Sequence, residues 1–322
     1  MTKTVLILGA TGGVGGETAR ALRRHGWQVR ALARTLPADR HGFDWVQGDA
    51  LDRDALVTAA AGIDAIVHAV NPPGYQGWDT VGRAMLENTI AAAQASGARI
   101  AFPGNVYVYD PARTPLASVD SAQRPRTRKG AIRVGFEERL RTAGVRGLIL
   151  RCGDFFGPQP GGSWFSQGMI TPGKPIKSIM KPVIGGAGHA WAYLPDVGET
   201  FARLLDRDAE LPDFARFHFD GVWDDNGMRI IDAVARAIGN TDLKVRRMPW
   251  WALPLAAPFN TMMREMAEMK PLWAHPLRLD NRDLVAFLGE EPHTPLDRAI
   301  ATTLGALGCL DAAPLEKGVA FA

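Results

Sequence analysis

Cysteine is scarce in this chain: Cys152 and Cys309 are the only two among 322 residues, and neither stands in a paired metal or redox spacing. That argues against a disulfide framework and makes a reducing, cytoplasmic compartment the expectation. Cys152 lies in an apolar run, where a buried thiol is expected. A dominant charge is missing too. Thirty-seven Lys and Arg stand against 34 Asp and Glu, a net charge of +3, too small a footprint for nucleic acid. The densest basic run, Arg124 to Lys129, contains a proline and reads as a solvated loop. No apolar run approaches the roughly 20 residues of a membrane helix, and Val5–Ala10 is too short for a secretory leader. Pro249–Phe259, the most apolar stretch outside the expected core, is interrupted by Pro254 and Pro258. A pocket wall or lid is the expectation there, ahead of a membrane-surface contact. No membrane, nucleic acid or metal is expected as a partner.

What is present is the composition of a globular enzyme, 46% hydrophobic and 22% charged. Strand-like and helix-like segments alternate through the first half. Thr4–Leu8, Gln28–Ala33, Trp45–Gln47, Ala65–Ala69, Arg99–Phe102 and Gly147–Arg151 read as strands. Gly15–His25, Ala55–Ala61, Val81–Ser96 and Arg133–Ala143 read as helices, each followed by a glycine. The pattern predicts an α/β fold, a Rossmann-like doubly wound parallel sheet with helices on both faces.

The second half loses that rhythm. Gly157–Gly188 is rich in Gly and Pro and reads as irregular, and its cluster Gly185-Gly186-Ala187-Gly188 has no strand before it. Helices are expected over Val197–Asp206, Ile230–Ile238, Asn260–Met269 and Asp297–Leu307, a strand over Lys244–Met248, and a loose tail at the end. The domain expectation is a dinucleotide-binding unit over 1–155, with 190–206 returning to it. A smaller C-terminal substrate-side lobe would come from 156–189 and 207–322.

Gly9-Ala10-Thr11-Gly12-Gly13-Val14-Gly15 follows the first strand directly and opens the first helix. In that context the glycines predict a pyrophosphate-binding turn: Gly9 and Gly12 for tight torsions and close approach, Gly15 for packing helix on strand. The helix N-terminus supplies unpaired N–H groups to phosphate. The second strand bears on which nucleotide. It ends Val29-Arg30-Ala31-Leu32-Ala33-Arg34, with no acid before Asp39. NAD-specific turns usually place an acid there, whereas Arg34 can fork onto a 2′-phosphate or stack on adenine. NADP(H) is favoured and NAD(H) stays open; Arg34 is otherwise a plain surface charge. Asp49 and Ala50 can reach the adenine edge, and Ala69, Val70 and Asn71 pass beside the nicotinamide ribose. The cofactor set is therefore Gly9, Thr11, Gly12, Gly13, Val14, Gly15, Arg34, Asp49, Ala50, Ala69, Val70 and Asn71, with Lys129 added below.

These segments, with GDALD, HAVNPP, the run Leu150-Arg151-Cys152-Gly153-Asp154-Phe155-Phe156-Gly157-Pro158 and Trp191–Val197 with Asp196 as its acid, occur in family order. Together they resemble the extended and atypical short-chain dehydrogenase/reductase superfamily, the NAD-dependent epimerase/dehydratase-like group. The resemblance covers nearly the whole chain and implies the fold and a nicotinamide cofactor. One departure matters. Family dehydrogenases use a Tyr four residues before a Lys. Here the residues four on from Tyr75, Tyr107, Tyr109 and Tyr193 are Asp79, Pro111, Arg113 and Val197. At the expected place stands Lys129-Gly130-Ala131-Ile132-Arg133, a lysine for the Tyr and an arginine for the Lys. That arrangement is similar to the isoflavone and phenylcoumaran benzylic ether reductases, and Phe102-Pro103-Gly104 resembles their fifth-strand end, with Gly104 in place of a serine.

The resemblance implies Lys129 as general acid/base beside the nicotinamide. The alternative is a structural lysine paired with Glu137 or Glu138. Asn105 and Tyr107 sit at the sheet edge where α/β ligands bind, Tyr107 as a hydrogen-bond donor to a substrate oxygen or as a surface aromatic. His68, inside the fourth strand, reads as an interior histidine. Trp164, Phe165, Trp191, Trp250, Trp251 and Trp273 crowd the second half with Met262, Met263, Met266 and Met269, which are core filler or the wall of an apolar pocket. The leading expectation is an NADP(H)-dependent oxidoreductase acting on a small carbonyl or aromatic substrate. A non-catalytic NADP-binding sensor and an NAD-dependent epimerase or dehydratase are the alternatives. A homodimer is left open.

Overall fold

The computed structural model describes residues 2–72, 77–159 and 162–310. Its strands are β1 (Thr4–Leu8), β2 (Gln28–Ala33), β3 (Asp44–Gln47), β4 (Ala65–His68), β5 (Arg99–Asn105), β6 (Leu116–Ala117), β7 (Gly147–Cys152), β8 (Asp154–Phe156), β9 (Ser178–Lys181), β10 (His189–Tyr193), β11 (Phe214–His218), β12 (Val222–Asp224), β13 (Lys244–Arg247) and β14 (Arg278–Leu279). Its helices are α1 (Gly13–Arg24), α2 (Arg53–Ala59), α3 (Arg83–Ser96), α4 (Arg128–Arg141), α5 (Leu194–Asp206), α6 (Arg229–Ala237), α7 (Leu253–Ala256), α8 (Thr261–Glu268), α9 (Lys270–Ala274), α10 (Arg282–Leu288) and α11 (Leu296–Ala306).

Seven parallel strands form the central sheet in the order β11-β7-β5-β4-β1-β2-β3. The chain winds one way from β1 to β3, then crosses to β4 on the other side of β1, so the switch point lies between β1 and β4. Strand side chains alternate between faces. In β1, Val5 and Ile7 enter one buried cluster with α1 and α5, while Leu6 and Leu8 enter another with α2 and α3. A strand apolar on both faces survives only in the middle of such a sandwich. The Thr4–Leu8 and Gln28–Ala33 ranges agree residue for residue with expectation.

Three differences follow from signals that the sequence carried weakly. First, α4 begins at Arg128, five residues before the expected Arg133. Thr127 caps it, its hydroxyl accepting from the Gly130 N–H at 3.0 Å. Second, Phe214–His218 was expected in the substrate-side lobe but runs as the outermost strand of the central sheet, paired to β7. Third, the irregular reading of Gly157–Gly188 missed β9, which pairs with β13, the strand expected over Lys244–Met248, from a distant part of the chain; the sequence Ser-Ile-Met-Lys of β9 has no apolar alternation to announce it. A third apolar cluster joins β8, β10 and β12 with α6, α9 and α11. The helix α5 lies across α1, where the backbone of Glu17 leaves no room for a Cβ on Gly198. Tyr75 and the tail from 311 lie outside the described residues.

Candidate functional site

At the end of β1 the chain turns through Gly9 with φ +92°, in the left-handed region that favours glycine. A Cβ on Gly9 would overlap the Ala69 carbonyl, and one on Gly15 would overlap the Gly9 carbonyl. The predicted turn and the segment after β4 are thus packed backbone to backbone. Gly12 behaves differently. Its φ is −95°, a value any residue adopts, and a Cβ there would meet only the Gly9 carbonyl oxygen, at 3.3 Å. What Gly12 supplies is clearance, not a special torsion. No side chain caps α1 and no acid stands in its first turn. Thr11 is exposed; Gly13 and Val14 are half-buried, a Cβ on Gly13 meeting Leu194. An uncapped, acid-free helix start with Thr11 exposed beside it is a fitting cradle for phosphate.

Arg34 is exposed at the end of β2, and no ion pair engages it among the described residues. Asp49 serves the backbone: its carboxylate accepts from the Leu51 N–H at 3.0 Å. Ala50 is buried, and its carbonyl accepts from the Asn88 amide at 3.0 Å. Ala69 and Val70 are half-buried and Asn71 is exposed. The ends of β2, β1, β4 and β5 lie side by side in a row spanning about 15 Å at the usual strand spacing, with this series of groups along it.

The other end of the row is a narrow cleft of about 20 Å³, partly open to solvent, lined by Tyr107, Lys129, Trp164, Gln167, Met262 and Met266 among others. Lys129 is only 2% exposed. Its ammonium lies 2.7 Å from the Glu265 carboxylate and 3.7 Å from that of Glu268, and donates to the Glu265 carbonyl at 2.9 Å. All three contacts come from α8. Neither Glu137 nor Glu138 is its partner, because Glu137 is committed to Arg151 at 2.6 Å and Glu138 to Arg141. Burial would raise the Glu265 carboxyl, but Lys129, then Arg128, hold it below its ordinary value.

Tyr107 reaches the cleft from the turn after β5. Asn105, the last residue of that strand, fixes the turn by accepting from the Tyr107 N–H at 3.1 Å. The Tyr107 hydroxyl donates to Asp154 at 3.1 Å, and the other Asp154 oxygen lies 2.8 Å from His189 Nε2. His189 in turn stacks on Trp273, with centroids 3.7 Å apart. Trp273 was expected as core filler or a pocket wall, but Asp154, His189 and Glu265 were not foreseen as site residues. Asp154 stood within a recognised run, but nothing local marks the other two.

Arg133, at the family's lysine position, is buried: it donates to the Pro103 carbonyl and lies over the Phe102 ring at 4.4 Å. Burial lowers it to about 10, opposed by Glu137 and Tyr107. His68 is an interior histidine: its Nδ1 meets the Thr89 hydroxyl at 2.8 Å, and burial, with Arg133, pushes it down to about 3. Burial raises the Cys152 thiol well above its usual range, as an inert core cysteine requires. No cluster of His, Cys, Asp and Glu suited to a metal occurs among the described residues.

Comparison with known proteins adds to this geometry. Residues 9–161 match the family model described as NAD(P)H-binding. The chain carries an NAD(P)H-binding domain. Beyond the NAD(P)H-binding domain the likenesses are broader. A 3-diazoavenalumate denitrifying reductase from a Streptomyces species is 31% identical over 177 residues, 49% of this chain and 58% of that protein. The ceramide reductase of Caulobacter vibrioides is 30% identical over 163 residues, 48% of this chain and 47% of that one. The chain thus matches about half the length of these relatives. A UDP-glucose 4-epimerase from Stenotrophomonas maltophila, solved with bound NAD, superposes with a TM-score of 0.73 at 14% identity, covering 95% of this chain and 98% of the other. The fold is thus shared with NAD-binding epimerases of known structure.

Proposed function

We propose that the protein is an NADP(H)-dependent oxidoreductase acting on a small carbonyl or aromatic compound, with Lys129 as its acid/base. The observation that carries this is the convergence of Lys129 and Tyr107 on an apolar cleft at the same sheet edge as the glycine turn. The turn from Gly9 to Gly15, with Ala69, Val70 and Asn71, would hold the dinucleotide, and Arg34 its 2′-phosphate. The bound nicotinamide supplies or accepts a hydride. Trp164, Met262 and Met266 favour an apolar substrate and keep water from it. Tyr107, held by Asp154 and His189, orients the substrate oxygen. Lys129 passes the proton to or from that oxygen once α8 has withdrawn the carboxylates now facing it.

The buried Lys129–Glu265 pair also favours a second reading, a nucleotide-binding module without turnover. One experiment addresses both. NADPH and NADH are titrated into the purified protein, followed by a carbonyl-substrate screen with wild type, Lys129→Ala and Tyr107→Phe. Turnover at least about a hundredfold slower in Lys129→Ala, within the usual range for loss of a general acid, is the expected result. Wild-type rates in that variant would remove Lys129 from the chemistry. Tight NADPH binding without turnover on any substrate would favour the module.

A further inference from the structure

We infer that the arm from Pro249 to Phe259 is a docking surface for an anionic lipid bilayer. Large apolar side chains are rarely exposed in this molecule, and their distribution is uneven. Of the six exposed among the described residues, Val245, Trp251, Leu255 and Phe259 belong to one short stretch. Trp251 is 76% exposed, Leu255 69% and Phe259 92%, spaced four residues apart along the short helix α7 and its flanking turns. The arm is firmly seated. It also carries Trp250, whose indole N–H donates to the Pro182 carbonyl at 2.8 Å, and Leu253, both buried in the second-lobe core. It was expected to wall a pocket; Trp250 and Leu253 face the core, but the three largest apolar groups face outward.

Charge selects the occupant. The arm follows β13, all four of whose residues are exposed, three of them Lys244, Arg246 and Arg247. β13 pairs with β9, which brings Lys181 opposite Arg247, and Lys177 is exposed just before β9. No Asp or Glu occurs from 243 to 264, nor from 155 to 195. An apolar tip bearing an interfacial tryptophan and flanked by a cluster of exposed cations, with Asp242 and Asp225 only at its margin, matches a bilayer, where apolar groups enter the headgroup boundary and cations meet acidic lipid. A second copy of the chain fits poorly, because self-pairing would set these cations against one another. No helix among the described residues is long and apolar enough to cross a membrane, so the arm would lie on the surface. It runs directly into α8, whose Met262 and Met266 line the cleft. On the functional reading above, docking would present the cleft to substrate dissolved in the bilayer.

The test is sedimentation of the full chain with vesicles of phosphatidylcholine alone or of a three-to-one mixture with phosphatidylglycerol, at low and high salt. Wild type is expected to partition onto the mixed vesicles about tenfold or more better than onto phosphatidylcholine, and less at high salt. Trp251→Ser/Leu255→Ser/Phe259→Ser should abolish binding. Lys244→Glu/Arg246→Glu/Arg247→Glu should remove the preference for acidic lipid. Both should keep the wild-type melting temperature and NADPH affinity, and Phe259→Ser alone should weaken binding if the triple variant melts early. Failure of wild type to sediment with the mixed vesicles, or unchanged binding by a folded serine variant, overturns the inference. So does a wild-type oligomer in gel filtration that the serine variant dissolves, which would assign the arm to a second copy. None of these readouts depends on catalysis, so failure of the docking and of the reductase reading are distinguishable.

Discussion

The glycine turn and the lysine cleft sit at one edge of one sheet, yet they are made differently. The turn is backbone against backbone, formed within one short stretch and its contact with Ala69. The cleft is side chain against side chain, and its central ion pair joins residues 136 positions apart. A site built from backbone writes itself into local sequence, because only glycine fits. A site built from distant pairs leaves each member looking ordinary in its own neighbourhood.

The largest expected effect breaks the cleft and spares the turn. Glu265 is 3% exposed, and removing it leaves the Lys129 ammonium buried with weaker compensation. Glu265→Ala should cost about 3 kcal/mol of stability in denaturant unfolding, while NADPH affinity stays at the wild-type value. The pH dependence has a definite sign. Because the folded carboxyl titrates below its ordinary value, its contribution is present above the unfolded value of about 4.3. It is lost as pH falls through the lower folded value. Thermal melts of Glu265→Ala should therefore lose part of the acid-side decline seen in wild type.

The next effect breaks the turn. Gly9→Ala places a Cβ at φ +92° and into the Ala69 carbonyl, which should cost about 2 kcal/mol or more and abolish nucleotide binding by fluorescence titration. A smaller effect sharpens the nucleotide half alone. Arg34→Ala should weaken NADPH by about 1.5–3 kcal/mol, roughly ten- to a hundredfold, and leave NADH unchanged. Equal losses for both nucleotides would place Arg34 on the adenine instead of the 2′-phosphate.

The smallest prediction concerns the seam between α1 and α5. His25 lies 2.5 Å from Asp206 and 3.0 Å from Glu199. Burial opposes its charge, yet these carboxylates raise its pKa above 6.5. Its contribution is complete below about 6.5 and fades as pH rises through the higher folded value. His25→Gln should flatten the melting profile on that side by under about 1 kcal/mol.

Much of the architecture was legible because β1, β2 and β4 are apolar on both faces and stand between glycine-stopped helices. The glycine turn was legible because Gly15 meets the Gly9 backbone within the same motif, whereas the contact of Gly9 with Ala69 was not. β11 was not, since its sequence Phe-Ala-Arg-Phe-His mixes buried and exposed positions and its partner β7 lies far upstream. Lys129 was found by its place relative to Arg133, but its partners were mistaken. Glu137 is near in sequence, whereas Glu265 hides among methionines that read as core filler. The Tyr107–Asp154–His189 chain was equally silent, because three separate segments contribute one residue each.

The late arrival of β11 sets a timetable for the nascent chain. A polypeptide leaves the ribosome N-terminus first, so β7 emerges with one edge bare and must wait for residues 153–213 before its neighbour appears. Arg99 waits as well, since its guanidinium is destined for Asp208 and for the Pro212 carbonyl at 2.8 Å. During that interval the open edge of β7 is a template for any passing strand. A gene fragment cut at residue 161 would make the interval permanent, and such a fragment is expected to aggregate through the bare edge of β7.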